Sequence, residues 1–157
     1  MKGKILFLKS IILLAVIVFV TLGVVMIFQL FQGGHVHDAP YQIWIMFGTI
    51  WLEIGFGCYV AILLNRLLNL IRQNTAFSTV TLAVVERIKN QVLIMSVISL
   101  GIAPTIFAMG GQGWEWFALV ITGCFVVIPF GIYAVISILA ECLKNAIDIK
   151  TENNLTV

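Results

Sequence analysis

Apolar residues in this chain do not alternate with polar ones. They run nearly unbroken through four windows: residues 11–31, "IILLAVIVFVTLGVVMIFQLF", then 41–64, then 92–109, "VLIMSVISLGIAPTIFAM", and finally 116–140. A helix needs about 20 mostly apolar residues to cross a bilayer, and each window is close to that length or longer. The pattern predicts an all-α integral membrane protein. The expected fold is a single-domain four-helix bundle of two transmembrane hairpins over residues 1–157, with helices extending into the cytoplasm. Lys2, Lys4 and Lys9 precede the first window and give it the look of a secretory signal. Its apolar core is longer than the 7–15 residues usual for signals, and no A-x-A site follows, so it reads as a retained helix.

Between the second and third windows lies a linker over 65–91, "NRLLNLIRQNTAFSTVTLAVVERIKNQ". Its first part continues the second helix, with Leu67, Leu68, Leu70 and Ile71 apolar and Arg66, Asn69 and Arg72 polar. "QNTAFS" breaks that period. Ser78 suits a helix N-cap, because its hydroxyl can accept from a free backbone N–H. Phe77 and Leu82 have the spacing of a hydrophobic staple. From Thr79 a new helix is expected to run into the third span, with Leu82, Val85 and Ile88 at helical intervals. After the fourth window, "ECLKNAIDIK" is expected to extend the last helix by about two turns, before the tail "TENNLTV". The apolar faces of these projecting elements need a cover. Each other, the lipid headgroups and a protein docking by helix-in-groove contact are the candidates.

Composition agrees with lipid as the solvent: 61% of the 157 residues are hydrophobic and 10% charged, against about 25% charged in soluble domains. The placement of charge says more than its sum. All nine Lys and Arg fall before the first span, in the central linker or after the fourth span. The other two loops, "QGGHVHDAP" and "GGQGWE", contain none. Cationic loops stay inside, so both termini and the linker are expected in the cytoplasm. Tyr41, Trp44, Trp114 and Trp116 are expected at the outer interface. The Gly-Gly pairs at 33–34 and 110–111 turn the two hairpins. Cys58, Cys124 and Cys142 show no metal or disulfide spacing and read as packing residues.

One acid stands inside a span. Glu53 is the midpoint of the second window, and a carboxylate at that depth is a functional hypothesis by default. Thr49, Glu53, Gly57 and Ala61 share one helix face. That face is polar or small, which suits close approach of another helix. No Lys or Arg lies in any span, so Glu53 is expected to be hydrogen-bonded and to carry its proton. Thr21 and Ser99 lie at matching depth and are candidate partners. The role of Glu53 stands open between a structural hydrogen bond and proton- or ligand-linked chemistry. His35, His37 and Asp38 in the first outer loop are a weak metal or pH-sensing candidate, because a zinc site needs three or four ligands and Glu115 alone could add one. Pro104 and Pro129 are expected to kink the third and fourth spans. No phosphate loop, catalytic triad or metal-spaced cysteine set is present. No cofactor is implied, and the few basic residues give no basis for direct nucleic-acid binding.

Four spans, a Phe77-Ser78 cap leading through Val85 to Ile88 into the third span, and a tail Asn153-Asn154-Leu155-Thr156-Val157 resemble a bacterial membrane family. It is catalogued as domain of unknown function twenty-nine seventy-five. Two positions depart from its usual pattern: Ala76 replaces a proline, and Asn154 replaces an acid. Genes of that family typically neighbour a small helix-turn-helix regulator. The resemblance implies a non-enzymatic membrane partner, a tether or inhibitor, of such a regulator. Phe77, Ser78, Arg87, Leu155, Thr156 and Val157 are then the candidate contacts. The alternative is a small oligomeric proton-coupled transporter or channel subunit that uses Glu53.

Overall fold

The computed structural model describes residues 2–32, 40–73, 75–108 and 113–155. Its elements are α1 (Lys2–Gln32), α2 (Tyr41–Arg72), α3 (Thr79–Ile98), a 3₁₀ turn (Ser99–Ile102), α4 (Ala103–Ala108) and α5 (Glu115–Leu155). α3, the turn and α4 together form the third span. The fold is all-α, and four helices are long and apolar enough to cross a membrane. Most of their large side chains, such as Phe19, Leu52 and Ile128, point outward. In water that surface would drive aggregation. In a bilayer it is the lipid-facing coat of a multi-pass membrane protein.

Neighbouring helices pack in the order α1, α2, third span, α5. α1 touches α2 alone among the described elements, whereas the third span meets both α2 and α5. The third span is accordingly the most buried of the four. The main apolar cluster joins Leu63 of α2 to Val84, Ile88 and Val92 of α3, with Tyr133 and Ile136 of α5 packed against it. This end of the molecule also carries Lys9, Arg66, Arg72, Arg87 and Lys89, and is called the basic end below. Leu67 and Leu70 join the same cluster. The projecting apolar faces of α2 and α3 thus cover one another in large part.

The turn between α2 and α3 forms as the sequence predicts. The Ser78 hydroxyl accepts from the Thr81 backbone N–H at 3.2 Å and caps α3. The Thr81 hydroxyl donates to Thr75 O at 2.8 Å, and Thr75 donates to Leu70 O at 2.8 Å. The bend is therefore tied to both helices. Phe77 is nevertheless 57% exposed.

One expectation needs correction. The last helix does not end about two turns past its span: α5 runs on to Leu155. No glycine or proline follows Gly131, and Thr151 satisfies its hydroxyl on Ile147 O, so nothing stops the helix. The two prolines differ in their effect on the hydrogen-bond ladder. Pro129 sits within a continuous α5. Pro104 lacks the N–H that would bond to Leu100 O. The Ala103 N–H takes that carbonyl instead, in the tighter 3₁₀ pattern. The cysteines are free, and only Cys58 is even half-buried; Cys124 and Cys142 face outward. The Gly-Gly pairs lie outside the described residues.

Candidate functional site

The polar interior of the molecule is the contact between α2 and the broken third span. Its residues arise from two simple spacings. On α2, Thr49, Glu53 and Gly57 recur every four residues and so share a face. On the third span, Ser96 and Ser99 are three apart at the end of α3, and Gly101 and Thr105 follow across the 3₁₀ turn. Thr49, Ser96, Ser99 and Thr105 are all buried.

Glu53 meets Ser99. The Ser99 hydroxyl donates to Glu53 Oε1 in a short contact, and it also lies 2.9 Å from Met95 O. A hydroxyl has one hydrogen to give. With an ionised carboxylate, the two acceptors share that hydrogen. With a protonated carboxyl, each bond has its own: Glu53 donates to Ser99, and Ser99 to Met95 O. The expected hydrogen-bonded Glu53 is thus present, and its partner comes from the third span. Thr21, the other candidate, is not brought to it. Thr21 is exposed on α1, and its hydroxyl turns back to Ile17 O at 2.7 Å.

The seam is tight because of Gly101. A Cβ there would strike the Thr49 hydroxyl and come within 3.3 Å of Thr49 Cβ. Thr49 folds its hydroxyl onto Ile45 O at 2.9 Å. One step further, a Cβ on Gly57 would touch Met95 Cε at 3.9 Å. Toward the aromatic end, Thr105 donates to Gln42 O at 2.6 Å, between two helices. Reasoning from the sequence missed Thr105, Ser96 and Gly101. Their signal was available as a run of small and hydroxyl residues in an otherwise bulky span.

The aromatic end has its own lock. Gly113 adopts φ +89°, a conformation that favours glycine. Trp114 next to it donates its indole N–H to Ile106 O at 3.1 Å and packs against Phe117 with ring centroids 4.6 Å apart. Tyr41, Trp44 and Trp116 point outward. His35, His37 and Asp38 lie outside the described residues, as do Thr156 and Val157. Among the described residues, no three His, Cys, Asp or Glu side chains gather as metal ligands. Glu115 is exposed at the start of α5. Of the candidate partner contacts, Ser78 is engaged in the cap, Phe77 and Arg87 are exposed, and Leu155 ends α5.

No curated protein and no solved structure matches the chain. A family model described as "Protein of unknown function (DUF2975)" matches residues 63–157, well over half of the sequence. The match starts in the last third of α2 and takes in α3, the 3₁₀ turn, α4 and α5. It contains Ser99 and Pro104 but stops short of Thr49 and Glu53. The resemblance carried by Phe77-Ser78 and the tail therefore holds, and this protein belongs to the DUF2975 family of proteins of unknown function.

Proposed function

We propose that the protein is a non-enzymatic membrane partner, a tether or inhibitor, of a small cytoplasmic helix-turn-helix regulator. In this reading the basic end and both termini face the cytoplasm of a bacterium. The observation that carries it is the reach of α5. From Ile136, which packs against the apolar cluster whose middle residue on α3 is Ile88, α5 continues to Leu155, a rise of about 28 Å. From Ile88 back to its start at Thr79, α3 covers only about 14 Å. The end of α5 thus overhangs the α2–α3 turn by roughly 15 Å, with Ile149 67% exposed along it. An exposed apolar side chain on an overhanging helix suits docking into a groove on a partner. The gene context typical of the family supplies the kind of partner. The test is co-purification of the neighbouring regulator with the membrane protein. Truncation after Asp148 is expected to abolish capture, and Glu53→Gln to leave it intact.

A second reading rests on the meeting of Glu53 with Ser99 at the break in the third span. Discontinuous helices and intramembrane acids occur at transporter sites. A proton-coupled transporter predicts the reverse result: Glu53→Gln abolishes activity, and the truncation leaves it.

A further inference from the structure

We propose that the cleft between the first turns of α1 and the last turn of α2 is a binding site for the headgroup of an anionic phospholipid. The cleft has a volume of about 570 Å³ and is lined by Gly3, Ile5, Leu6, Lys9 and Arg72. None of these is acidic, and two are cations. Lys9 is positioned: its ammonium donates to Asn69 Oδ1 on α2 at 2.6 Å. An ammonium has three hydrogens, so two remain for a ligand. Arg72 is exposed at the end of α2. Its planar guanidinium suits the paired oxygens of a phosphate. Neither cation is paired with a carboxylate among the described residues.

The apolar lining chooses between a lipid and a soluble phosphate. Ile5 and Leu6 share the cleft with the cations, and Leu6 is 70% exposed. The apolar stretch of α1 begins at Ile5, so the cleft lies where headgroup gives way to acyl chain. Above it, Leu13, Leu14 and Ile17 are exposed and continue an apolar path along α1. A ligand that fills the cleft needs an anion at one end and hydrocarbon at the other. Basic pockets between transmembrane helices bind such headgroups. The consequence is structural as well. Among the described elements α1 is held by α2 alone, and a lipid bridging Lys9 and Arg72 ties the two helices a second time.

The test uses the full chain, purified in neutral detergent and titrated with phosphatidylglycerol, phosphatidylcholine or inorganic phosphate while bound lipid is read by native mass spectrometry. Phosphatidylglycerol is expected to bind well above phosphatidylcholine. Lys9→Gln, which can keep the bond to Asn69, and Arg72→Gln should each lower its affinity about fivefold. Gly3→Leu should lower it too. Gly3 lines the cleft and a Cβ on it meets nothing within 4 Å, so a larger side chain adds bulk at the cleft wall without straining the fold. Lys144→Gln and Lys150→Gln, on α5, should change nothing. Equal losses at Lys144 and Lys150, no effect of Gly3→Leu, or equally tight binding of inorganic phosphate would each overturn the proposal.

Discussion

Gly101 and Gly23 show how one side-chain atom can matter at one helix contact and hardly at another. A Cβ on Gly101 meets the hydroxyl and Cβ of Thr49, which sit close to a backbone that cannot retreat. A Cβ on Gly23 meets Ile54 Cδ1 at 2.6 Å, the far end of a flexible side chain. Overpacking a tight contact costs about 1–3 kcal/mol, whereas replacing a helical glycine by alanine gains about 0.5–1 kcal/mol. Gly101→Ala is therefore expected to lower the thermal unfolding midpoint in detergent clearly, and Gly23→Ala to leave it near that of the parent. Thr49→Ala in the Gly101→Ala background should restore part of the loss, and a double-mutant cycle measures how much. Purely additive effects would mean that the two residues do not share a contact. Ser99 belongs to the same scale. It supplies the hydroxyl that Glu53 needs, and hydrogen bonds of this kind between membrane helices contribute only about 1 kcal/mol. The Glu53–Ser99 contact is thus more useful for fixing register than for stability.

At the scale of elements, the third span stands apart from the others. It is the central helix, and it is also the broken one. The ladder tightens to 3₁₀ at Ser99–Ile102, just before Pro104, and both Ser99 and Gly101 meet α2 there. In a regular helix residues two apart lie about 160° from each other, and three residues per turn narrow this to about 120°, so the tighter turn makes it easier for both to approach the same neighbour. Pro104→Ala is expected to let α3 run on as a regular helix and to separate Gly101 from Thr49. A disulfide engineered between positions 49 and 101 reads this directly: it should form readily with Pro104 present and poorly in Pro104→Ala. Equal cross-linking in both backgrounds would assign the 3₁₀ turn to some cause other than the proline. The opposite end of the span has a different origin. The cap at Ser78 and the Thr81–Thr75 and Thr75–Leu70 bonds are local, and they set where α3 begins.

Across the whole molecule, charge and packing follow separate axes. Charge separates the two ends along the membrane normal, with the described cations gathered at the basic end. Packing orders the helices laterally, from the loosely held α1 to the central third span and α5. The proposed orientation can be read from a native thiol. Cys142 lies just past the apolar stretch of the fourth span and faces outward, while Cys58 and Cys124 sit within spans. A membrane-impermeant maleimide is expected to label Cys142 in inverted vesicles and not in intact cells. Labelling from outside would reverse the topology and remove the cytoplasmic docking reading with it. The lateral order has its own consequence. Among the described elements α1 packs against α2 alone, which leaves most of its large apolar side chains exposed and is why a lipid site at its base matters.

The sequence by itself determined the number of spans and the fold class, because about 20 apolar residues in a row have no stable place except lipid or a protein interior. It also determined the Ser78 cap and the inward face of Thr49, Glu53 and Gly57, since caps and helical faces depend only on residues within a few positions of each other. Its charge asymmetry yields an orientation that awaits the Cys142 experiment. Only the tertiary structure decided which helix met that face. Thr21 and Ser99 lie at matching depth, and depth alone cannot choose between them; the packing of the third span on α2 brought Ser99 to Glu53, while α1 packed at Gly23 and left Thr21 outward. The length of α5 also escaped the sequence reading, because the polar residues that end a membrane span do not end a helix. The cleft at Lys9 and Arg72 was beyond the sequence altogether. Those residues are far apart along the chain, and only the packing of α1 on α2 makes them neighbours.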